Sequence, residues 1–232
     1  MLSEAYRNIR TSVLLSISEK PPKKIIISSP NPSEGKTTTA INTAIALSQT
    51  GVQVLIIDSD LRKPRIHKIF SEGSEVGLSS FLSGHAELES IVKKTEIPNL
   101  YYIPSGPIPP NPSELIGSSL FKSMLESLGH RFDHLILDSP PVLGFADSVI
   151  LSTFVDGVIL VAVGGKTPKE TLQRAKEVLH QVNAKILGVV INRVNIHRSD
   201  YGYYYYRYHS YYGKEEGKKE LPYPSEEKSV ST

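Results

Sequence analysis

Cysteine and tryptophan are both absent from the 232 residues. Without cysteine there is no disulfide scaffold, no thiol nucleophile and no cysteine-ligated metal. An excess of charge of one sign is lacking too: 26 Lys and Arg stand against 24 Asp and Glu, a net of +2. This excludes a dominant polybasic surface for nucleic acid or membrane, although local patches remain open. Long hydrophobic runs are missing. The longest uncharged stretch, Thr37 to Ile57, is broken by Asn42, Ser48, Gln49, Thr50 and Gln53, whereas a spanning helix needs about 20 predominantly apolar residues. The start, Met-Leu-Ser-Glu-Ala-Tyr-Arg, does not have the form of a secretory signal. A cytoplasmic chain is expected. The seven histidines show no metal-ligand spacing, and no zinc site is expected.

What is present changes character near residue 199. Nine of the twelve tyrosines lie in the last 32 residues, with five basic and five acidic residues and almost no aliphatics. Such a segment cannot build a core and is expected to be disordered. The division is therefore a domain over residues 1–198 and a flexible tail over 199–232. Before the tail, six apolar segments read as buried strands: Lys24–Ser29, Val52–Asp58, Leu100–Pro104, His134–Asp138, Gly157–Val163 and Ile186–Asn192. All but Leu100–Pro104 are rich in Ile, Val and Leu, as strands covered on both faces are. Helical patterns lie between them. Lys36–Thr50 puts Ala40, Thr43, Ala44 and Leu47 on one face. Asn111-Pro112-Ser113-Glu114 and Thr167-Pro168-Lys169-Glu170 each read as a cap, a first-turn proline and a capping-box glutamate. Alternating strands and helices predict an α/β fold, three layers α/β/α around a mostly parallel sheet. At the N-terminus, Leu2, Ala5, Ile9, Val13 and Ile17 make an apolar helical stripe within residues 1–18, with Glu4, Arg7 and Thr11 on another face and Arg10 beside them. This is either an ordinary amphipathic helix or an interface helix whose arginines grip acidic groups on a neighbour.

Three motifs close three of the strands. Ser29-Pro30-Asn31-Pro32-Ser33-Glu34-Gly35-Lys36-Thr37-Thr38 joins the first strand to the first long helix. Gly35-Lys36-Thr37 fits the end of the phosphate-loop pattern G-x-x-x-x-G-K-[ST], with Pro30 where the first glycine would stand. Backbone N–H groups of such a loop and helix start point at phosphates, Lys36 neutralises charge and the Thr37 hydroxyl is placed to ligate Mg²⁺. Leu55-Ile56-Ile57-Asp58-Ser59-Asp60-Leu61-Arg62 puts two carboxylates at a strand's C-terminal end, where α/β sheets hold ligands. Two residues apart, Asp58 and Asp60 point the same way if the strand continues. Leu135-Ile136-Leu137-Asp138 reads as a Walker B strand. Together the three indicate nucleotide binding and a P-loop NTPase-type fold.

At these residues the chain resembles the bacterial tyrosine kinases (BY-kinases) of capsular and exopolysaccharide assembly, over nearly its whole length. Pro32, Gly35, Lys36 and Thr37 match that family's Walker A, with Ser33 in place of a glycine. Leu55 to Arg62 matches its Walker A′, Leu135 to Asp138 its Walker B, and Glu4, Arg7 and Arg10 its oligomerisation motif E-x-x-R-x-x-R. Gly77-Leu78-Ser79, Ser105 to Pro112 with Glu114-Leu115, and Gly188 to Arg193 are also typical, and the closing tyrosines match its phosphorylated cluster.

The resemblance implies an ATP-dependent protein-tyrosine kinase with Mg²⁺, a ring of identical subunits, and phosphorylation between subunits of Tyr201, Tyr203, Tyr204, Tyr205, Tyr206, Tyr208, Tyr211 and Tyr212. It also implies a membrane-spanning activator of the polysaccharide chain-length regulator type, separate or fused upstream, a cognate tyrosine phosphatase, membrane association through that activator, and no nucleic acid. The expected catalytic residues are Lys36, Asp58, Asp60 and Asp138. Pro32, Ser33, Glu34, Gly35, Lys36, Thr37, Thr38 and Asn192 are expected to hold ATP, and Thr37, Asp58 and Asp138 to hold Mg²⁺. Asp58 is the first choice for accepting the tyrosine proton, because an unperturbed Tyr, with a pKa near 10, needs an acceptor. Two other readings stand beside this one. A partitioning or septum-positioning switch ATPase would carry a signature lysine at the position of Asn31 and no tyrosine tail. A nucleotide-sensing scaffold would bind without turnover.

Overall fold

The structure, a computed structural model, describes residues 4–17, 20–70 and 75–194. The tyrosine cluster and the rest of the 199–232 segment lie outside the described residues. Helix α1 (Glu4–Leu14) leads into β1 (Lys24–Ser28), α2 (Lys36–Ser48) and β2 (Val54–Asp58). Three short helices follow, α3 (Ile66–Ile69), α4 (Leu78–Leu82) and α5 (Leu88–Ile91), then β3 (Lys93–Lys94) and β4 (Leu100–Ile103). Next come α6 (Pro112–Ile116), α7 (Ser119–Arg131), β5 (His134–Asp138), α8 (Ala146–Ser152), β6 (Gly157–Val163), α9 (Lys169–Gln181) and β7 (Ile186–Asn192).

The strands form one sheet in the order β3-β4-β2-β5-β1-β6-β7. All pairs are parallel except β3 with β4. Side chains alternate across each strand, so each face feeds a separate core. Leu55, Ile57, Leu135, Leu137 and Leu160 pack against Phe121, Leu125 and Leu128 of α7, Leu151 of α8 and Leu179 of α9. Ile25, Ile27, Ile56, Ile136 and Val161 pack on the opposite face against Ala40, Ala44 and Leu47 of α2, with Val13 of α1. Both faces of the central strands are thus covered, and the three layers expected from the alternating pattern are the observed architecture.

Several details differ from the sequence reading. The strand Lys93–Lys94 is an antiparallel edge too short for a period to register. β7 is no doubly covered strand: it lies at the sheet edge, with Val189 45% and Ile191 51% exposed. α1 ends at Leu14, short of Ile17. Proline does sit in the first turn of α6, but Asn111 makes no cap and instead donates its amide to Glu114. At α9 the cap position is Pro168, because the Thr167 hydroxyl is drawn into the phosphate loop described below.

Candidate functional site

The ends of β1, β2 and β5 meet at one edge of the sheet. In register, Ile27 of β1 and Asp58 of β2 both stand beside Asp138 of β5. Neighbouring strands lie about 4.8 Å apart, so the two aspartates are adjacent like charges. The edge is tied together by the backbone: Ser59 N donates to the Asp138 carbonyl at 2.9 Å and Val142 N to the Ser29 carbonyl at 2.8 Å.

The phosphate loop is held from within by a buried glutamate. Glu34 accepts from Asn31 N at 2.8 Å and from the Thr167 hydroxyl at 2.5 Å. Thr167 in turn accepts from Val163 N at the end of β6. The Glu34 carbonyl receives the Asn192 side-chain amide at 3.0 Å, which docks the end of β7 on the loop. Ser33 adopts φ 64 and Gly35 φ 99. A Cβ on Gly35 would lie 2.1 Å from the Asn192 amide nitrogen, so glycine is required there by both conformation and space. α2 begins with no side-chain cap. Its first N–H groups are therefore available to an anion, aided by the helix dipole. Pro32, Ser33 and Thr38 form the exposed rim of the loop, and Lys36 and Thr37 are buried.

The carboxylates feel one another's charge but are held by different partners. β2 ends at Asp58, so strand alternation does not set the direction of Asp60. Asp58 Oδ2 accepts from Arg65 N at 3.0 Å and Ile66 N at 2.9 Å, at the start of α3. Its Oδ1 is buried without a hydrogen bond. Burial, then the neighbouring Asp138 charge, pushes the Asp58 pKa up to about 7, against the pull of the two backbone donors. Asp60 is fully engaged: Oδ2 lies 3.0 Å from Lys36 Nζ, and Oδ1 accepts from Lys63 N at 2.9 Å and Arg62 N at 3.3 Å. Asp138 is buried with no hydrogen bond of ordinary geometry on either oxygen. Burial raises its pKa to about 6, while the Lys36 charge and the nearby Thr37 hydroxyl hold it down.

Two positioning contacts had no signal in the motifs. One is the Glu34–Thr167 bond already described. The other is Asp147, 1% exposed, which receives Arg62 Nε at 2.6 Å and also the Ser113 hydroxyl. The Arg62 guanidinium lies 4.3 Å over the Phe145 ring. Arg62 thus fixes the loop after β2 to the start of α8. At α1, Arg7 pairs with Glu4 at 2.8 Å on the exposed surface, and Arg10 donates to the Ala46 carbonyl of α2 at 3.1 Å.

Known proteins resemble this chain in sequence and in fold. The family described as AAA domain matches residues 22–186. The tyrosine-protein kinase YwqD of Bacillus subtilis (strain 168) is 41% identical over 203 residues, 87% of this chain and 86% of that protein. The tyrosine-protein kinase ptk of Acinetobacter johnsonii is 38% identical over 200 residues, 86% of this chain but 27% of that longer protein. The solved kinase domain of Escherichia coli tyrosine kinase ETK superposes with a TM-score of 0.78 at 31% identity, covering 83% of this chain and 77% of that domain. Kinship of this extent favours the kinase over the switch-ATPase and scaffold readings. A phosphate loop opening α2, buried carboxylates closing β2 and β5, and these relatives lead to one conclusion: the chain belongs to the bacterial tyrosine-protein kinases, built on an AAA-type P-loop domain.

Proposed function

We propose that the chain transfers the γ-phosphoryl group of ATP to tyrosines of its own C-terminal cluster, from one copy to another. The tyrosine oxygen bonds to the γ-phosphorus as the bond from that phosphorus to the β–γ bridging oxygen breaks. ADP leaves and the phenolic proton passes to Asp58. The observation that carries this reading is the buried, unpartnered Oδ1 of Asp58, with a pKa near neutrality beside the phosphate loop. A base of that kind suits proton transfer at physiological pH. Lys36, released from Asp60, and the N–H groups at the start of α2 hold the phosphates. Residues 199–213 reach about 50 Å when extended, enough to enter a neighbour's site.

The residues present fit a hard divalent cation. Asp138 offers two buried oxygens that lack partners, next to the Thr37 hydroxyl, and oxygen donors of this kind suit Mg²⁺. Thr37 and Asp138 would hold it, with Asp58 at its margin. When bound, Mg²⁺ supplies charge neutralisation on the β- and γ-phosphate oxygens. Asn192 and the loop residues Pro32 to Thr38 are proposed to line the nucleotide. Glu4, Arg7 and Arg10 are proposed to join copies into a ring. A membrane-spanning activator is the proposed partner, separate or fused, since the same domain forms 27% of the longer ptk kinase. A tyrosine phosphatase would reverse the reaction, and capsule or exopolysaccharide assembly is the proposed process. Among the described residues no helix is long and apolar enough to cross a membrane. Membrane association through the activator is part of the same proposal.

Intact-mass spectrometry after incubation with Mg-ATP tests this reading. Additions of 80 Da (about one phosphoryl group each) should appear, and should vanish in Lys36→Met and when the eight cluster tyrosines become Phe. Hydrolysis of ATP without additions, with an activator segment present, would point to a switch ATPase.

A further inference from the structure

Beside the catalytic edge lies a second concavity, of about 700 Å³, walled by Lys63, Pro64, Arg65 and Lys68 on one side and Pro107 and Ile108 on the other. Lys63, Arg65 and Lys68 are exposed. Arg62, also at its edge, is already committed to Asp147. Burial, then the Lys68 charge, pushes the His67 pKa down, so the groove's charge comes from the two lysines and Arg65. No carboxylate among the described residues lines it. The cations are accompanied by apolar surface, with Ile108 65% and Ile69 52% exposed. A free inorganic anion would use only the charge. An aromatic ring bearing a phosphate would use both, the ring on proline and isoleucine and the dianion on the ammonium groups.

The groove is rigidly joined to the reaction centre. Its basic wall is the segment whose backbone N–H groups hold the catalytic carboxylates: Lys63 N on Asp60, Arg65 N on Asp58 at 3.0 Å. The Arg65 charge already reaches Asp138. The opposite wall is pinned as well. Leu78 N donates to the Pro104 carbonyl and Ser79 N to the Ser105 carbonyl, both at 2.8 Å, and the Ser79 hydroxyl to the Pro107 carbonyl at 2.6 Å. This is the structural use of the Gly77-Leu78-Ser79 and Ser105-Gly106-Pro107 segments.

We propose that this groove retains a phosphotyrosine of the tail of a second copy, so that each phosphorylated tyrosine anchors the segment while a neighbouring tyrosine is presented to Asp58. The proposal rests on the tail being the substrate. Tail spacing favours it: Tyr203 to Tyr206 are consecutive and Tyr211 adjoins Tyr212, at about 3.3–3.6 Å per extended residue. A group held by side chains of residues 63–68 is one or two side-chain lengths from Asp58, because Arg65 N touches that carboxylate. Unphosphorylated, the tail carries little net charge. Each phosphate adds about −1.5 to −2, so affinity for the groove rises with the first transfer. Modification should therefore run ahead to multiply phosphorylated chains rather than spread evenly.

Two measurements test this. In a time course by intact mass, the wild-type chain should pass from zero to several phosphates with few singly modified molecules. Lys68→Glu should add its first phosphate within about twofold of the wild-type rate, yet accumulate the singly modified form at least fivefold. Identical phosphate distributions in the two chains would overturn the proposal while leaving the tail as substrate. No phosphate on the wild-type chain would instead overturn the substrate reading, on which the proposal depends. The second measurement uses the impaired Asp58→Asn chain, which keeps Lys36 and the phosphate loop, with Mg-ADP in excess so that the loop is occupied. A labelled peptide of residues 199–213 carrying one phosphotyrosine should bind at least tenfold more tightly than its unphosphorylated form, and Lys63→Ala/Lys68→Ala should abolish that difference. Equal binding of the two peptides, or displacement by inorganic phosphate as readily as by phosphotyrosine, would show that no aryl-phosphate site exists.

Discussion

The loops that leave β2 and β5 start from neighbouring strands and from aspartates in register, yet they are provisioned in opposite ways. After β2, the backbone turns back on its own carboxylates. Four N–H groups between Arg62 and Ile66 and the Lys36 ammonium serve Asp58 and Asp60, leaving one oxygen of Asp58 bare. After β5, Asp138 and Ser139 are followed by Pro140 and Pro141, which have no N–H to give, and both oxygens of Asp138 lack a hydrogen bond of ordinary geometry, with the Thr37 hydroxyl nearby. A buried polar atom without a partner costs about 1–3 kcal/mol, more when charged. The folded chain carries that cost. In the roles proposed above, a proton on Asp58 and a cation on Asp138 would supply the missing partners.

Removing the base of the β2 loop should have the largest effect. Asp58→Asn keeps an oxygen for Arg65 N and Ile66 N but cannot take a proton. General-base catalysis is worth about 10²–10⁴-fold, so kcat should fall by at least about 10²-fold, with nucleotide binding changed far less. In the wild-type chain Asp58 must be ionised to act, and its pKa is raised to about 7. Activity should therefore decline about tenfold per pH unit below that value. The residual activity of Asp58→Asn should lack this acid limb. An unchanged pH profile in the variant would assign the proton to another group.

The β5 loop is better probed through stability. Burial raises the Asp138 pKa to about 6 from an ordinary 3.8. The folded state then binds the proton more tightly than the unfolded state, so stability is lost as pH rises from the ordinary value through the raised one. Above pH 6 the whole penalty is present, of the order of 2–3 kcal/mol at about 1.4 kcal/mol per unit. Without nucleotide, Asp138→Asn should therefore melt several degrees higher than wild type at pH 8, at about 2–4 °C per kcal/mol for a chain of this size. The difference should shrink toward pH 4. Mg-ADP should raise the wild-type Tm more than that of the variant, which keeps Lys36 and the phosphate loop but loses a carboxylate for the cation. A gap that does not change with pH would mean that the Asp138 carboxylate already has a partner.

How much of this was visible in the sequence depends on range along the chain. The sheet, its two cores and the phosphate loop were legible because each is written locally. Short continuous runs of Ile, Val and Leu declare strands covered on both faces, and Gly35-Lys36-Thr37 after one declares the loop. Tertiary partners were not. Thr167 looked like a helix cap because its neighbours fit one, but a bond to Glu34, 133 residues away, outweighs the cap. Asp147 belonged to none of the motifs, and only the fold brings it to Arg62, 85 residues earlier. Asp58 and Asp60 were paired by strand period, but the strand stops at Asp58, whose carboxylate receives the N–H groups of Arg65 and Ile66 at the start of α3.

Ser33 offers the smallest and sharpest adjustment, on the loop that feeds both carboxylate loops. Its φ of 64 costs an L-residue about 1–2 kcal/mol relative to glycine, and glycine loses about 0.5–1 kcal/mol more conformational entropy on folding. Ser33 makes no side-chain hydrogen bond or ion pair with another described residue in exchange, and its side chain lies at the exposed rim. Ser33→Gly should thus stabilise the folded chain by no more than about 1.5 kcal/mol, a rise in Tm of at most about 6 °C, and should leave the pH dependence ascribed to Asp58 and Asp138 untouched. A fall in Tm would mean that the serine stiffens the loop more than its backbone strains it. A shift in either pH dependence would mean that the loop conformation sets the carboxylate environment, and the contrast between β2 and β5 would then originate in the phosphate loop.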